Sequence, residues 1–180
     1  GIRGIVNKDL TLQLALQTGL SVVTKTSAGK IVIAHDTRTT AVTIENALVA
    51  GLLGGGATVI KLGLIPTPVL AYATRQFKAD TGVMITASHN PPQYNGIKLF
   101  NENTMAYAKK QEDTIEHAIE KKQFKRQTYQ KIGTTTTANI TNEYIEALTK
   151  VTFQKKWRVI LDPGNGATCH IAPMIFQALG

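Results

Sequence analysis

Residues 82–100 read GVMITASHNPPQYNGIKLF. An apolar run ends in Thr-Ala-Ser-His-Asn, meets Pro91 and Pro92, turns at Asn95-Gly96 and restarts as Ile-Lys-Leu-Phe. This predicts a strand, a stiffened loop and a second strand. The loop is shorter than the dozen or so residues that a parallel crossover needs. The short connection into the second strand suggests a mixed sheet rather than a purely parallel one.

The rest of the chain supplies the parallel part. KIVIAHD (30–36), ATVIKLG (57–63) and TGVMITA (81–87) are short β-branched runs suited to buried strands. Helical spacing separates them: Leu10–Val23 with Thr11 as N-cap, Thr40–Leu53 closed by Gly54-Gly55-Gly56, and a helix opening near Pro68. A further helix is expected over Ala106–Lys122, with Ala108, Ile115, Ala118 and Ile119 on one face. The fold class is thus α/β, a layered α/β/α domain with a mixed, mainly parallel sheet. QKIGTTTTANI (130–140) is a composition shift, either edge strand or linker. Beyond it come a helix over Thr141–Lys150 and then strand, Gly-rich turn and helix in WRVILDPGNGATCHIAPMIFQALG. We read residues 1–134 as one domain and 135–180 as the start of a second, similar one. The chain opens on Gly-Ile-Arg-Gly without methionine and closes on a helical pattern, so both ends read as cut.

Composition bounds the function classes. The chain has 180 residues, 43% hydrophobic and 18% charged, an ordinary globular balance. No apolar run approaches the ~20 residues of a membrane span. No secretory leader is visible, and Cys169 is the single cysteine, so a soluble cytoplasmic protein is expected. The net charge of +8 points to anionic partners. Lys109, Lys110, Lys121, Lys122, Lys125, Arg126 and Lys131 cluster, but Glu112, Asp113, Glu116 and Glu120 are mixed among them. That is the pattern of a solvated helix face. No zinc-finger or other recognition motif appears, so a nucleic-acid surface is not favoured.

Chemistry is expected where strands end at their carboxyl edge. Three such ends are polar: HDTR (35–38), TASHN (86–90) and DPGNG (162–166). Asp36 is equally readable as the start of an Asx-turn, and DPGNG as a tight turn. Gly164-x-Gly166 approaches a dinucleotide fingerprint, but Cys169 stands where the third glycine belongs. Ser88 is the stronger candidate. Thr86 and Ala87 are small and leave room beside it, and Lys98 on the following strand could point back. A neutral serine hydroxyl needs a base before it attacks anything. His89 is adjacent in sequence, which does not by itself make the two side chains face each other.

TASHNPPQYNGIK (86–98) resembles the phosphoserine loop of the α-D-phosphohexomutases, the family of phosphoglucomutase, phosphomannomutase and phosphoglucosamine mutase. GIRG (1–4), AHDTR (34–38), GLIPTPVL (63–70) and LDPGNGAT (161–168) resemble other stretches of that family, in the family's order. The resemblance implies that Ser88 carries a phosphoryl group and passes it to a hexose phosphate. The resulting hexose bisphosphate reorients and returns its other phosphate, interconverting hexose 1-phosphate and 6-phosphate. His89 and Lys98 match residues given proton-transfer roles. Arg3, Arg38 and Asn90 match phosphate-binding positions. Mg²⁺ is implied for the full-length enzyme, held by the phosphate on Ser88 and by aspartates of a D-G-D-x-D loop. That loop is absent from this sequence, whose aspartates are Asp9, Asp36, Asp80, Asp113 and Asp162. These residues alone are therefore expected to turn over negligibly. The alternatives are a non-catalytic anion- or nucleotide-binding module using DPGNG and a basic nucleic-acid-binding domain.

Overall fold

The computed structural model describes residues 1–153, 155 and 157–180. Its elements in order are β1 (Ile2–Ile5), α1 (Leu12–Thr26), β2 (Lys30–His35), α2 (Ala41–Gly54), β3 (Thr58–Leu64), α3 (Thr67–Gln76), β4 (Thr81–Ile85), β5 (Tyr94–Asn101), α4 (Lys109–Glu120), β6 (Thr135–Thr137), α5 (Thr141–Leu148) and α6 (Ile171–Ala178). The six-stranded sheet has the order β1-β5-β4-β2-β3-β6. β2 pairs in parallel with both β3 and β4, and β3 with β6. β5 runs antiparallel to β4 and β1, as the short 86–93 connection requires.

Alternation along the buried strands feeds two cores. Ile31, Ile33, Val83 and Ile85 face one side with Ile44, Leu48 and Leu52 of α2. Val32, Ala34 and Met84 face the other with Val69, Leu70 and Phe100. Covering both faces is why these strands read as unbroken apolar runs. Ile140, Ile145 and Ile171 join the second core, so α5 and α6 pack on the α3 side.

α1 and α2 touch backbone to backbone. A Cβ on Gly19 would run into the Leu48 carbonyl, and one on Gly51 into the Leu16 carbonyl. An ordinary helical Gly→Ala change gains up to ~1 kcal/mol from propensity. At this crossing the sign reverses, because backbone cannot yield as a side-chain tip can. Gly51→Ala should lower stability by about 2 kcal/mol, read as a lower urea midpoint at unchanged slope.

Tyr107 is buried, and its hydroxyl bonds Thr81 Oγ1 at 2.8 Å. Burial raises the phenol above its ordinary value, outweighing that hydrogen bond. A raised folded-state value means the stability it contributes is complete below the unfolded value of about 10. That contribution is lost as pH climbs through the folded value. Denaturation curves above pH ~10 should therefore fall less steeply for Tyr107→Phe than for wild type.

Four elements differ from the sequence reading. β1 was not anticipated; four residues carry too little alternation to signal a strand, and it exists by pairing with β5. The threonine run is an edge strand, β6, hydrogen-bonded to β3, so the first sheet extends past residue 134. α4 is shorter than expected, because Ala108 is extended and its N–H is capped by Gln111 Oε1 at 2.9 Å. Residues 157–161, expected as a strand, form none among the described residues, and Trp157, Val159 and Ile160 are exposed. A strand without a neighbour has no ladder for its N–H and C=O groups.

Candidate active site

The loops after β2 and β3 leave toward opposite faces of the sheet, which opens a crevice at their carboxyl ends. The cleft there holds about 620 Å³. Asp36, Arg38, Pro66, Thr67, Thr86, Ser88 and Asn90 line it, with Gly166 and Ala167 reaching in from the DPGNG turn. α2 and α3 begin at this edge with no acidic residue in the first turn of either. Their positive dipole ends favour an anion in the cleft.

Ser88 is exposed at the mouth with φ of 55°, left-handed backbone that costs a non-glycine residue about 1 kcal/mol or more. Its Oγ lies 3.3 Å from His89 Nδ1, so the neighbours do face each other. Its N–H donates to Thr86 Oγ1 at 2.9 Å, and Thr86 donates in turn to Asp36 Oδ2 at 2.6 Å. Asp36 Oδ1 accepts the Arg38 N–H at 3.0 Å, so the Asx-turn reading and a place in the cleft are both true of Asp36.

Arg38 organises the loop. One terminal nitrogen donates to the carbonyls of Pro91 (2.8 Å) and Tyr94 (2.9 Å), the other to those of Ser88 (2.8 Å) and Asn90 (2.7 Å). All four terminal N–H donors are thereby committed to loop carbonyls. Nε, 3.4 Å from Asp36 Oδ2, makes no hydrogen bond. Arg38 sits beside Ser88 as a brace with no terminal donor left for a phosphate. Arg3 differs: it is exposed and makes one side-chain bond, to Asn90 Oδ1 at 3.0 Å, leaving donors that can meet an anion. Asn90 is held between these arginines, and its N–H donates to the Ala87 carbonyl at 3.1 Å.

Lys98 is on β5 opposite Met84, a cleft residue, but its ammonium lies over the Phe100 ring, 5.3 Å from the centroid. It is exposed and outside the cleft lining in this conformation. Asn95, read as a turn residue, is fully buried; it donates to Thr40 Oγ1 at 3.1 Å and so ties the loop's exit to the start of α2. Gly96 is required by space, since a Cβ would stand 2.7 Å from both the Ile2 and Thr86 carbonyls. The role of Thr86 escaped the sequence reading, which valued it as small. A hydroxyl two residues before a loop N–H is the signal that was there to find.

No group of three His, Cys, Asp or Glu side chains disposed to hold a metal occurs among the described residues. Asp36, the carboxylate in the cleft, is already engaged through both oxygens. These residues do not make a magnesium site on their own.

Residues 1–126 match the family model for phosphoglucomutase/phosphomannomutase, alpha/beta/alpha domain I. The chain belongs to that family. Among phosphohexomutase relatives, a probable phosphoglucosamine mutase of Pyrococcus abyssi is 45% identical over 181 residues, and the phosphoglucosamine mutase of Methanocaldococcus jannaschii 42% over 182. The chain is covered completely in both alignments but spans 40% of the length of each relative. A phosphoglucomutase/phosphomannomutase family protein of Burkholderia thailandensis superposes with a TM-score of 0.89 at 26% identity, over 99% of this chain and 41% of that one. The mixed six-stranded sheet with helices on both faces is thus the α/β fold of that family.

Proposed function

We propose that this chain is the phosphoserine-bearing part of a phosphohexomutase that interconverts hexose 1-phosphate and hexose 6-phosphate. The observation that carries the proposal is Ser88: exposed at a cleft mouth, left-handed, and set in a loop whose carbonyls one arginine gathers. In the forward half-reaction a sugar hydroxyl oxygen bonds to the phosphorus on Ser88, the bond from phosphorus to Oγ breaks, and Oγ takes up a proton from His89. The hydroxyl proton passes to a base, for which Lys98 is proposed, as the neutral amine and swung from the Phe100 ring into the cleft. After the bisphosphate reorients, Ser88 Oγ bonds to the other phosphorus, the bond from that phosphorus to the sugar oxygen breaks, His89 Nδ1 at 3.3 Å accepts the Oγ proton, and the freed sugar oxygen takes its proton back from Lys98. Arg3 offsets phosphate charge, and the starts of α2 and α3 add to it. Mg²⁺ is proposed for the full-length protein, with the phosphate on Ser88 as this chain's contribution; no step above depends on it.

The names of the relatives favour glucosamine phosphate among the hexoses. The proposal extends to a cytoplasmic location; no helix is long and apolar enough to cross a membrane among the described residues. It also includes a second unit, whose start moves from residue 135 to the end of β6 because β6 pairs with β3. The nucleic-acid alternative is not favoured, since Lys109 pairs with Asp113 at 2.6 Å and Glu116 at 3.8 Å on a mixed face.

The test uses the full-length protein with hexose 1,6-bisphosphate. Intact mass should rise by one phosphoryl group, mapped to Ser88, and glucosamine 6-phosphate should turn over faster than the glucose or mannose esters. A protein that takes up no phosphoryl group contradicts the mutase reading, and a preference for another hexose contradicts the glucosamine one.

A further inference from the structure

We propose that Thr86 and Asp36 are positioning residues for phosphoryl transfer, acting through the Ser88 peptide N–H without touching the sugar. The proposal rests on the reading of Ser88 given above. A threonine hydroxyl has one proton to give. Here that proton goes to Asp36 Oδ2 at 2.6 Å, and an ionised carboxylate can only accept. The direction of the hydroxyl is therefore determined, and its lone pair faces the Ser88 N–H at 2.9 Å. Thr86 lines the cleft but has no proton left for substrate.

Asp36 is equally committed. Oδ1 accepts the Arg38 N–H at 3.0 Å, and the Asp36 N–H donates to the Ile85 carbonyl at 3.0 Å. Thr86 is anchored on its other side, its N–H donating to the Gly96 carbonyl at 3.0 Å. The relay thus runs from the end of β2, across β4, to the peptide nitrogen about which the Ser88 φ angle turns. That angle is 55°, which serine does not hold by preference. Holding the N–H holds the peptide plane ahead of Ser88, and with the carbonyl held by Arg38 it restrains the backbone from which Oγ departs toward the accepting oxygen. Arg38 holds the same loop by its carbonyls, so N–H and C=O sides are gripped by different groups.

The experiment measures kcat and KM of the full-length protein with hexose 1-phosphate and a hexose 1,6-bisphosphate primer, together with Ser88 phosphorylation by intact mass. Thr86→Val keeps the shape and removes the hydroxyl. It should lower kcat about 10²-fold, the cost of misplacing a reacting group by roughly an ångström, with KM changed less than about threefold. Thr86→Ser should restore kcat to within a few-fold of wild type. Asp36→Asn has one oxygen for two donors and should lower kcat as well, with the double variant Asp36→Asn/Thr86→Val no worse than Thr86→Val, since one relay is lost once. If the valine variant does not fold, the contrast between Thr86→Ser and Asp36→Asn reads the same relay. Near wild-type kcat in Thr86→Val, equal damage in Thr86→Ser, or a loss confined to KM overturns the proposal. Wild type that takes no phosphoryl group at Ser88 overturns the functional reading and the relay's role with it.

Discussion

Ser88→Ala in the full-length protein should abolish phosphoryl uptake and lower mutase activity by about 10⁴-fold or more, the scale on which a lost nucleophile disables an enzyme. The loss should appear in kcat, because the cleft, Arg3 and the helix starts proposed to hold the phosphate ester remain. Stability should hold or rise slightly. Alanine removes an exposed hydroxyl whose one side-chain partner is His89, and the backbone bond to Thr86 survives. Ser88→Thr is the sharper variant. It retains the hydroxyl but puts a β-branched residue at φ of 55°, where such residues are outliers. A fall of roughly 10²-fold is expected from the displaced oxygen. Quench-flow measurement of phosphoryl uptake from hexose 1,6-bisphosphate separates the two, and uptake by Ser88→Ala at the wild-type rate would refute the assignment.

The second large effect belongs to Arg38, whose side chain is 11% exposed. Its four bonds are charge-assisted, a class in which each contributes on the order of 1.5–3 kcal/mol. Lysine cannot substitute, since three tetrahedral donors on one nitrogen do not match four carbonyls spread around a planar fork. Arg38→Lys and Arg38→Ala should both lower stability by roughly 2–4 kcal/mol and kcat by more than about 10²-fold. Amide exchange should quicken across residues 88–94, while the buried strands β2 and β4 stay protected. Arg3→Ala is the contrast. Its single, exposed bond to Asn90 predicts weaker phosphate binding with unchanged loop protection. Wild-type kcat in Arg38→Lys would show that the guanidinium fork is dispensable.

Much of this was legible along the chain. The β-branched runs at 30–36, 57–63 and 81–87 became β2, β3 and β4, and Thr11 caps α1 through its Oγ1. The short connection into β5 marked the sheet as mixed, and the pairing showed β5 to be antiparallel to both its neighbours. Ser88 stood out because a hydroxyl, an imidazole and an amide were crowded where an apolar run stopped. β1 and β6 were harder, since strands of four and three residues are defined by their partners. The apolar segment 157–161 shows the reverse: its pattern suits a strand, yet none forms without a neighbour.

The order of residues was sufficient for the layered architecture and for singling out Ser88 as the candidate hydroxyl, because periodicity and loop length are local properties of a chain. It could not assign Arg38 to bracing the loop carbonyls and Arg3 to a single exposed bond with Asn90, since that difference appears only once the ends of β2, β4 and β5 are side by side. Nor could it give the Thr86 hydroxyl a direction. That depends on a carboxylate fifty positions away in the chain and 2.6 Å away in space, a proximity that parallel pairing of β2 with β4 creates.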